Sequence, residues 1–232
     1  IGQAHGQDKV MYYGGGGQGN HLVGVYGSAT RRALGITVRS NALAQEKTGE
    51  AWVEGHLTGA HTHGDFHHAE VSIFLGKNPW HSHGFNEARR VLKDISKDPE
   101  RSMIVIDPRR SETADLADFH LAVKPGTDAF CVAALLGVLV QEDMVNHAWL
   151  AEHATGIERV LRELSTVDVA DFSQRCGIDE TQIRATARRI GKATGGVSIY
   201  EDLGIEMAPH STLVSYLQRL IWILVGSFNV PG

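Results

Sequence analysis

The sequence is poor in what builds stapled or spanning proteins. It has 2 cysteines in 232 residues, Cys131 and Cys176. That excludes a disulfide scaffold and any four-thiolate cluster made within the chain. Only 6 prolines and 7% aromatic residues are present. No apolar run approaches the roughly 18 residues of a transmembrane helix, so no membrane span is expected; Leu220 to Val225, directly after Gln218 and Arg219, comes nearest. Positive charge is also short. Lys and Arg number 22 against 27 Asp and Glu, a net charge of -5, which argues against a nucleic-acid partner or an anionic membrane surface. Any anionic ligand must therefore be held by local geometry. What the chain does have is 26 glycines, 13 histidines and 42% hydrophobic residues, a composition that supports a soluble core with tight turns.

Strand, turn and helix alternate along the chain. Short extended runs are read at Lys9 to Tyr13, Ile36 to Val38, Val71 to Leu75, Met103 to Ile106, Phe119 to Val123 and Val197 to Tyr200. Helical spacing is read after Leu22, from Phe85 to Asp98, from Asp128 to about Val140, at 146–153, 156–164 and 179–192, and from Pro209 to Val225. Residues 41–65 show no clean period and are read as loop with one helical turn. Continuous apolar strands alternating with helices predict a doubly wound, mainly parallel α/β sheet with helices on both faces, Rossmann-like in type. The domain expected is 1–195, with 196–232 opening a second α/β domain after Gly195-Gly196. The chain opens at Ile1 and closes on Pro231-Gly232, and is expected to be a central piece of a longer protein.

In open α/β sheets ligands gather beyond the carboxyl ends of the strands. Those ends are polar and Gly-rich here: Gly14 to Asn20, Gly76-Lys77-Asn78-Pro79, Asp107-Pro108-Arg109-Arg110-Ser111, and Pro125-Gly126-Thr127-Asp128. Each feeds a helix start, where free amides favour phosphate. Taken singly, each is an ordinary turn, strand stop or helix cap. Four on one edge describe a long groove. Asp107 and Asp128 add carboxylates able to accept the paired N–H donors of guanine or a ribose diol. Phosphate donors beside such acids suggest a dinucleotide.

These segments carry a resemblance. Ile104-Val-Ile-Asp-Pro-Arg-Arg-Ser-Glu-Thr-Ala-Asp-Leu-Ala-Asp118 with Val123-Lys-Pro-Gly-Thr-Asp128 resembles the molybdopterin oxidoreductases of the dimethyl-sulfoxide-reductase and formate-dehydrogenase family. Leu75-Gly-Lys-Asn-Pro79 is similar to that family's Gly-x-Asn-Pro element. Tyr200-Glu-Asp-Leu-Gly204 and the closing Leu224 to Gly232 are similar to its later segments. The resemblance implies a bis-molybdopterin guanine dinucleotide with molybdenum or tungsten, two-electron redox of a small-molecule substrate, and an unnamed electron-transfer partner. It implies a [4Fe-4S] cluster in a preceding domain and a second dinucleotide-binding domain after Gly232, so this piece alone is expected to be inactive. The compartment expected is the cytoplasm. By position, cofactor contacts fall on Gln18, Asn41, Leu75, Gly76, Lys77, Asn78 and on through Ser82. Further contacts are expected from Asp107, Pro108, Arg109, Arg110, Ser111, Gly126, Thr127, Asp128, Leu203 and Met207. The family's molybdenum ligand would lie a few residues after Asn41. No Cys or Ser stands there; Gln45 and Glu46 are nearest, and the catalytic residues stay open.

Histidines offer a rival. His61-Thr-His63, His67-His68 and His81-Ser-His83 have metal-ligand spacing, which fits a His-metal α/β hydrolase. A non-catalytic guanine-nucleotide-binding module is the third alternative.

Overall fold

The computed structural model describes residues 1–14 and 22–228, leaving aside the side chains of 22–24 and 45. The chain forms two compact units, Ile1–Thr48 and Gly49–Gly232. In the first, helix α1 (Gly2–His5) precedes strand β1 (Met11–Tyr13), helix α2 (Leu22–Ala33), strand β2 (Val38–Ser40) and helix α3 (Leu43–Glu46). β1 and β2 pair in parallel, Met11 opposite Val38 and Tyr13 opposite Ser40. A helix such as α2 between them in the chain is the connection that parallel neighbours require.

The second unit begins with helix α4 (Thr48–Leu57) and strand β3 (Val71–Leu75), followed by helices α5 (Pro79–Ser82) and α6 (Ala88–Ile95). Strand β4 (Ser102–Ile106) and strand β5 (Phe119–Leu121) come next. A helical run follows: α7 (Asp128–Gln141), α8 (His147–His153), α9 (Ile157–Ser165), α10 (Val169–Cys176) and α11 (Glu180–Gly191). Strand β6 (Val197–Glu201), helix α12 (Leu203–Glu206) and helix α13 (Ser211–Val225) complete the described chain.

Four strands form one wholly parallel sheet in the order β5-β4-β3-β6. Both faces are covered, as a parallel sheet demands. Alternation along each strand sorts the side chains between two cores. Val71, Ile73, Leu75, Ile104, Ile106, Val197 and Ile199 meet the long helical run, with α7 and α13 at its centre. Phe74, Met103 and Val105 meet α6, whose Val91, Leu92 and Ile95 form its buried stripe, together with Phe66. The expected α/β class with parallel strands between helices is therefore present. The Gly195-Gly196 pair, read as a boundary, lies inside the second unit as the turn into edge strand β6; Glu70 Oε2 accepts the amides of Thr194 and Gly195, both at 2.7 Å.

Residues 41–65 depart from the loop expected there. α3 and α4 both lie within it. The inward positions of α4 are Glu50, Val53 and Glu54, so its buried face is largely acidic and gives no apolar period. Helix α10 also escaped the reading, although Asp168 caps it by accepting the Asp171 amide at 3.0 Å and Gly177 ends it in the left-handed region. Among the described residues, no helix is long and apolar enough to cross a membrane.

Candidate functional site

The register levels the strand ends. Leu75 pairs with both Ile106 and Glu201, and Ile106 with Leu121. The four segments that follow therefore leave the sheet side by side. They enclose a cavity of about 390 Å³ lined by Gly76, Asp107, Pro108, Pro125, Gly126, Asp128, Gly204, Met207, Ala208 and Pro209. Six of these, Gly76, Asp107, Pro108, Gly126, Asp128 and Met207, are residues singled out in the sequence.

The floor is backbone. Gly76 takes φ +54, and a Cβ there would lie 2.7 Å from the Ile205 nitrogen and 2.8 Å from the Gly204 carbonyl carbon. The reciprocal Cβ on Gly204 would lie 2.6 Å from Gly76 Cα. Neither contact admits a side chain. The Gly204 amide donates to Gly76 O at 3.1 Å, the Asp202 amide to Leu75 O at 3.2 Å, and the Gly76 amide to Ile106 O at 2.9 Å. Gly126 takes φ +80 beside Pro209, which lets the third segment turn into α7.

Asp128 opens α7 and is 5% exposed. Burial pushes its carboxyl above the usual carboxylate range, its own amide opposes this, and the Asp107 charge raises it further. No cation lines the cavity. The site therefore presents two acceptors, Asp107 and Asp128, on a floor of glycine backbone, a composition suited to a neutral ligand edge with paired N–H donors.

Most of the other residues expected at the site make contacts within the chain. Leu75 is fully buried in the core, so only its backbone reaches the edge. Lys77 is 5% exposed, ion-paired to Asp202, with its ammonium 4.5 Å from the Tyr200 ring centroid. Asn78 donates to Glu112 at 2.8 Å and accepts from Thr113 at 2.7 Å. Arg109 faces Glu112 at 3.5 Å, Arg110 donates to Asp115 at 2.7 Å, and Ser111 accepts the Ala114 amide at 3.3 Å. Thr127 donates its hydroxyl to Lys124 O at 2.6 Å. Leu203 is exposed beside the cavity residues. Gln18 and the Gln45 side chain lie outside the described residues. Asn41 and Glu46 belong to the first unit, where Asn41 accepts the Ala44 amide at 3.2 Å just before α3.

Four lining residues were not expected as contacts: Pro125, Gly204 and the pair Ala208-Pro209. A Pro shortly after a four-residue helix is a stop signal; its convergence on Gly126 has no local sign. The reciprocal approach of Gly76 and Gly204, 128 positions apart, likewise has none.

Three of the histidines with metal-ligand spacing have carboxylate partners. His61 Nδ1 lies 2.5 Å from Glu54 Oε2, and its ring packs edge-on against His63. Ligand atoms of Glu50, Glu54 and His61 lie within 4.8 Å of one another. A cation is already there: the buried Arg219 guanidinium contacts Glu54 at 2.9 Å, Glu50 at 3.3 Å, and Glu201. His68 pairs with Asp65 at 2.8 Å and His81 with Glu112 at 3.2 Å. Each has the partner of an ordinary surface or buried pair, which disfavours the hydrolase alternative.

No protein-family model matches the chain. It is 27% identical over 151 residues to the assimilatory nitrate reductase catalytic subunit of Bacillus subtilis (strain 168), covering 64% of this chain and 20% of that protein. It is 29% identical over 146 residues to the F420-dependent formate dehydrogenase subunit alpha of Methanocaldococcus jannaschii, covering 63% and 21%. Acetylene hydratase from Pelobacter acetylenicus superposes with a TM-score of 0.78 at 23% identity, over 98% of this chain and 31% of that one; this likeness is of fold. The chain thus spans about a fifth of the length of these two curated relatives.

Proposed function

We propose that this chain, which belongs to the molybdopterin oxidoreductases of the dimethyl-sulfoxide-reductase and formate-dehydrogenase family, forms a central cofactor-holding portion of such an enzyme. The carrying observation is the cavity beyond β3, β4, β5 and β6 with the buried Asp128 in its wall. Its volume suits a nucleoside rather than a whole dinucleotide. We assign it to the guanosine end of one arm of a bis-molybdopterin guanine dinucleotide. When bound, the metal and pterin supply two-electron redox chemistry at molybdenum or tungsten.

This chain's residues bind and orient. The Asp128 carboxylate would accept the guanine N1–H and N2–H donors as a charge-assisted pair. Asp107 stands in the same wall as a second acceptor. Gly76, Gly126 and Gly204 let the backbone approach the ligand without side chains between. Lys77 and Asp202 brace the floor from behind. Asn78, Glu112 and Thr113 lock the second segment to the first, so the cradle is formed before the ligand arrives.

The whole protein's small-molecule substrate and electron partner lie with residues outside the cavity, and the [4Fe-4S] cluster belongs with segments preceding this one. The test is metal and nucleotide analysis of the full-length protein. Molybdenum or tungsten should copurify, and acid hydrolysis should release GMP in proportion. Asp128→Ala should copurify with less of both. A full-length protein with neither metal nor GMP would refute the reading.

A further inference from the structure

Cys131 and Cys176 play no part in the cavity, yet they meet beneath it. Cys131 lies in the first turns of the 14-residue α7, and Cys176 is the last residue of the eight-residue α10. The two helices pack together within one core, where both cysteines are fully buried. The two thiols perturb each other's ionisation across this helix contact, and Cys176 Sγ donates to Ser173 O at 3.4 Å. Nothing in an apolar helix contact requires sulfur on both sides; small aliphatic residues would fill it equally.

The position of Cys176 ties this contact to the cavity wall. Its carbonyl accepts the Lys124 amide at 2.9 Å. The Lys124 carbonyl in turn accepts the Thr127 amide at 3.1 Å and the Thr127 hydroxyl at 2.6 Å. That turn delivers Gly126 and Asp128 to the cavity. The Lys124 chain also lies across Gly177, 2.9 Å from where a Cβ would stand. The end of α10 is thus the support on which the third segment rests.

The geometry points to a reversible disulfide between Cys131 and Cys176, formed by reaction with a peroxide, that staples α10 to α7 beneath the 124–128 turn. Cys176 is the attacking sulfur. It is the last residue of its helix, beside a left-handed glycine, whereas Cys131 lies inside a long buried helix. The Cys131 thiol, with the Ile178 amide and the Lys124 charge, holds the Cys176 thiol down to about 7 against its burial, while Cys131 is pushed well up.

The Cys176 thiolate attacks one peroxide oxygen and the O–O bond breaks. The departing hydroxide takes up the proton that Cys176 released, giving one water and leaving a sulfenic acid on Cys176. Cys131 sulfur then attacks Cys176 sulfur; the S–S bond forms, the S–O bond breaks, and hydroxide leaves with the Cys131 proton as a second water. Two thiols lose two electrons and two protons, and hydrogen peroxide becomes two waters.

The test treats the purified full-length protein with hydrogen peroxide, followed by non-reducing peptide mapping and amide hydrogen exchange. A peptide joining Cys131 to Cys176, two hydrogens lighter than its parts and released by dithiothreitol, is expected. Its rate of formation should rise with pH and level off above about 7. Exchange at the Lys124 and Thr127 amides should slow several-fold in the oxidised form. Cys131→Ala should instead leave a dimedone-reactive sulfenic acid on Cys176. Two thiols that stay alkylatable, oxidation of Cys176 to sulfinic acid with Cys131 still free, or a cross-link that leaves exchange at Lys124 and Thr127 unchanged would each overturn the proposal. The wild-type map and exchange decide the matter even if Cys131→Ala does not fold.

Discussion

Gly76 and Gly204 meet backbone to backbone, each standing where the other forbids a side chain. This contact joins the segment after β3 to the segment after β6 and sets the floor height of the cavity. Replacing Gly204 with alanine pushes main chain against main chain, with no flexible neighbour to yield. Overpacking of this kind costs about 1–3 kcal/mol. We expect Gly204→Ala to lower the denaturation midpoint by that amount in urea titrations, with an unchanged slope. Gly76→Ala, which adds a left-handed backbone to the same collision, should be the more damaging. A Gly204→Ala protein as stable as wild type would mean that the two segments do not touch as described.

Asp128 sets ligand affinity against stability. Its carboxyl is raised in the folded protein by burial and by Asp107. For an acid so shifted the folded state binds the proton more tightly than the unfolded chain, so Asp128 lowers stability increasingly as pH rises past its unfolded value. Asp128→Asn should therefore stabilise the ligand-free chain at pH 7 and make little difference near pH 3. The same change removes one acceptor and offers a donor to guanine, which should weaken guanine-nucleotide binding about 10- to 100-fold, as expected of a charged hydrogen-bonding pair worth about 1.5–3 kcal/mol. Calorimetric titration with GMP and melting curves at the two pH values check both halves.

Arg219 neutralises a buried acidic group drawn from α4 and β6. Removing it as Arg219→Met takes their shared cation from Glu50, Glu54 and Glu201, and losing one partner of a buried pair costs about 3–5 kcal/mol. Burial alone would raise Glu54, but His61, the Thr62 amide, Arg219 and the Thr62 hydroxyl outweigh it and bring the group to about 2. A depressed carboxyl contributes stability above its unfolded value that is lost as pH falls toward the folded one. Wild-type stability should thus decline between about pH 5 and pH 2, and Glu54→Gln should flatten part of that decline. Urea midpoints across the range measure it.

Lys77 tests whether the bracing of the floor matters. Lys77→Met keeps the buried stem but removes the ion pair to Asp202 and the contact with Tyr200. We expect a loss of about 1.5–3 kcal/mol, because a charged hydrogen bond made by a buried ammonium is removed. The double change Lys77→Met with Asp202→Asn should recover part of it. A double variant no better than the single would show that the pair contributes through packing alone.

Much of the architecture was legible because burial on both faces writes β3, β4 and β6 as unbroken apolar runs between helices. The glycine-rich segments after them located most of the cavity wall. What escaped was non-local or inverted in polarity. Helix α4 hides its inward face as Glu50 and Glu54, whose partner Arg219 stands more than 160 positions away. Of the polar residues read as ligand contacts, Lys77, Asn78 and Ser111 have protein partners in Asp202, Glu112 and Ala114, and Arg110 pairs with Asp115 at the surface. A sequence shows that such groups need partners without saying whether a ligand or the protein supplies them.

The strands β4, β3 and β6 pair residue for residue over their full five positions. Each ledge segment is consequently attached to the scaffold at a single joint of common height. Its length and chemistry are free to drift while the neighbouring joints stay put. A lineage built this way retunes what it grips by editing one short stretch at a time, leaving the slab of aliphatic strands beneath untouched.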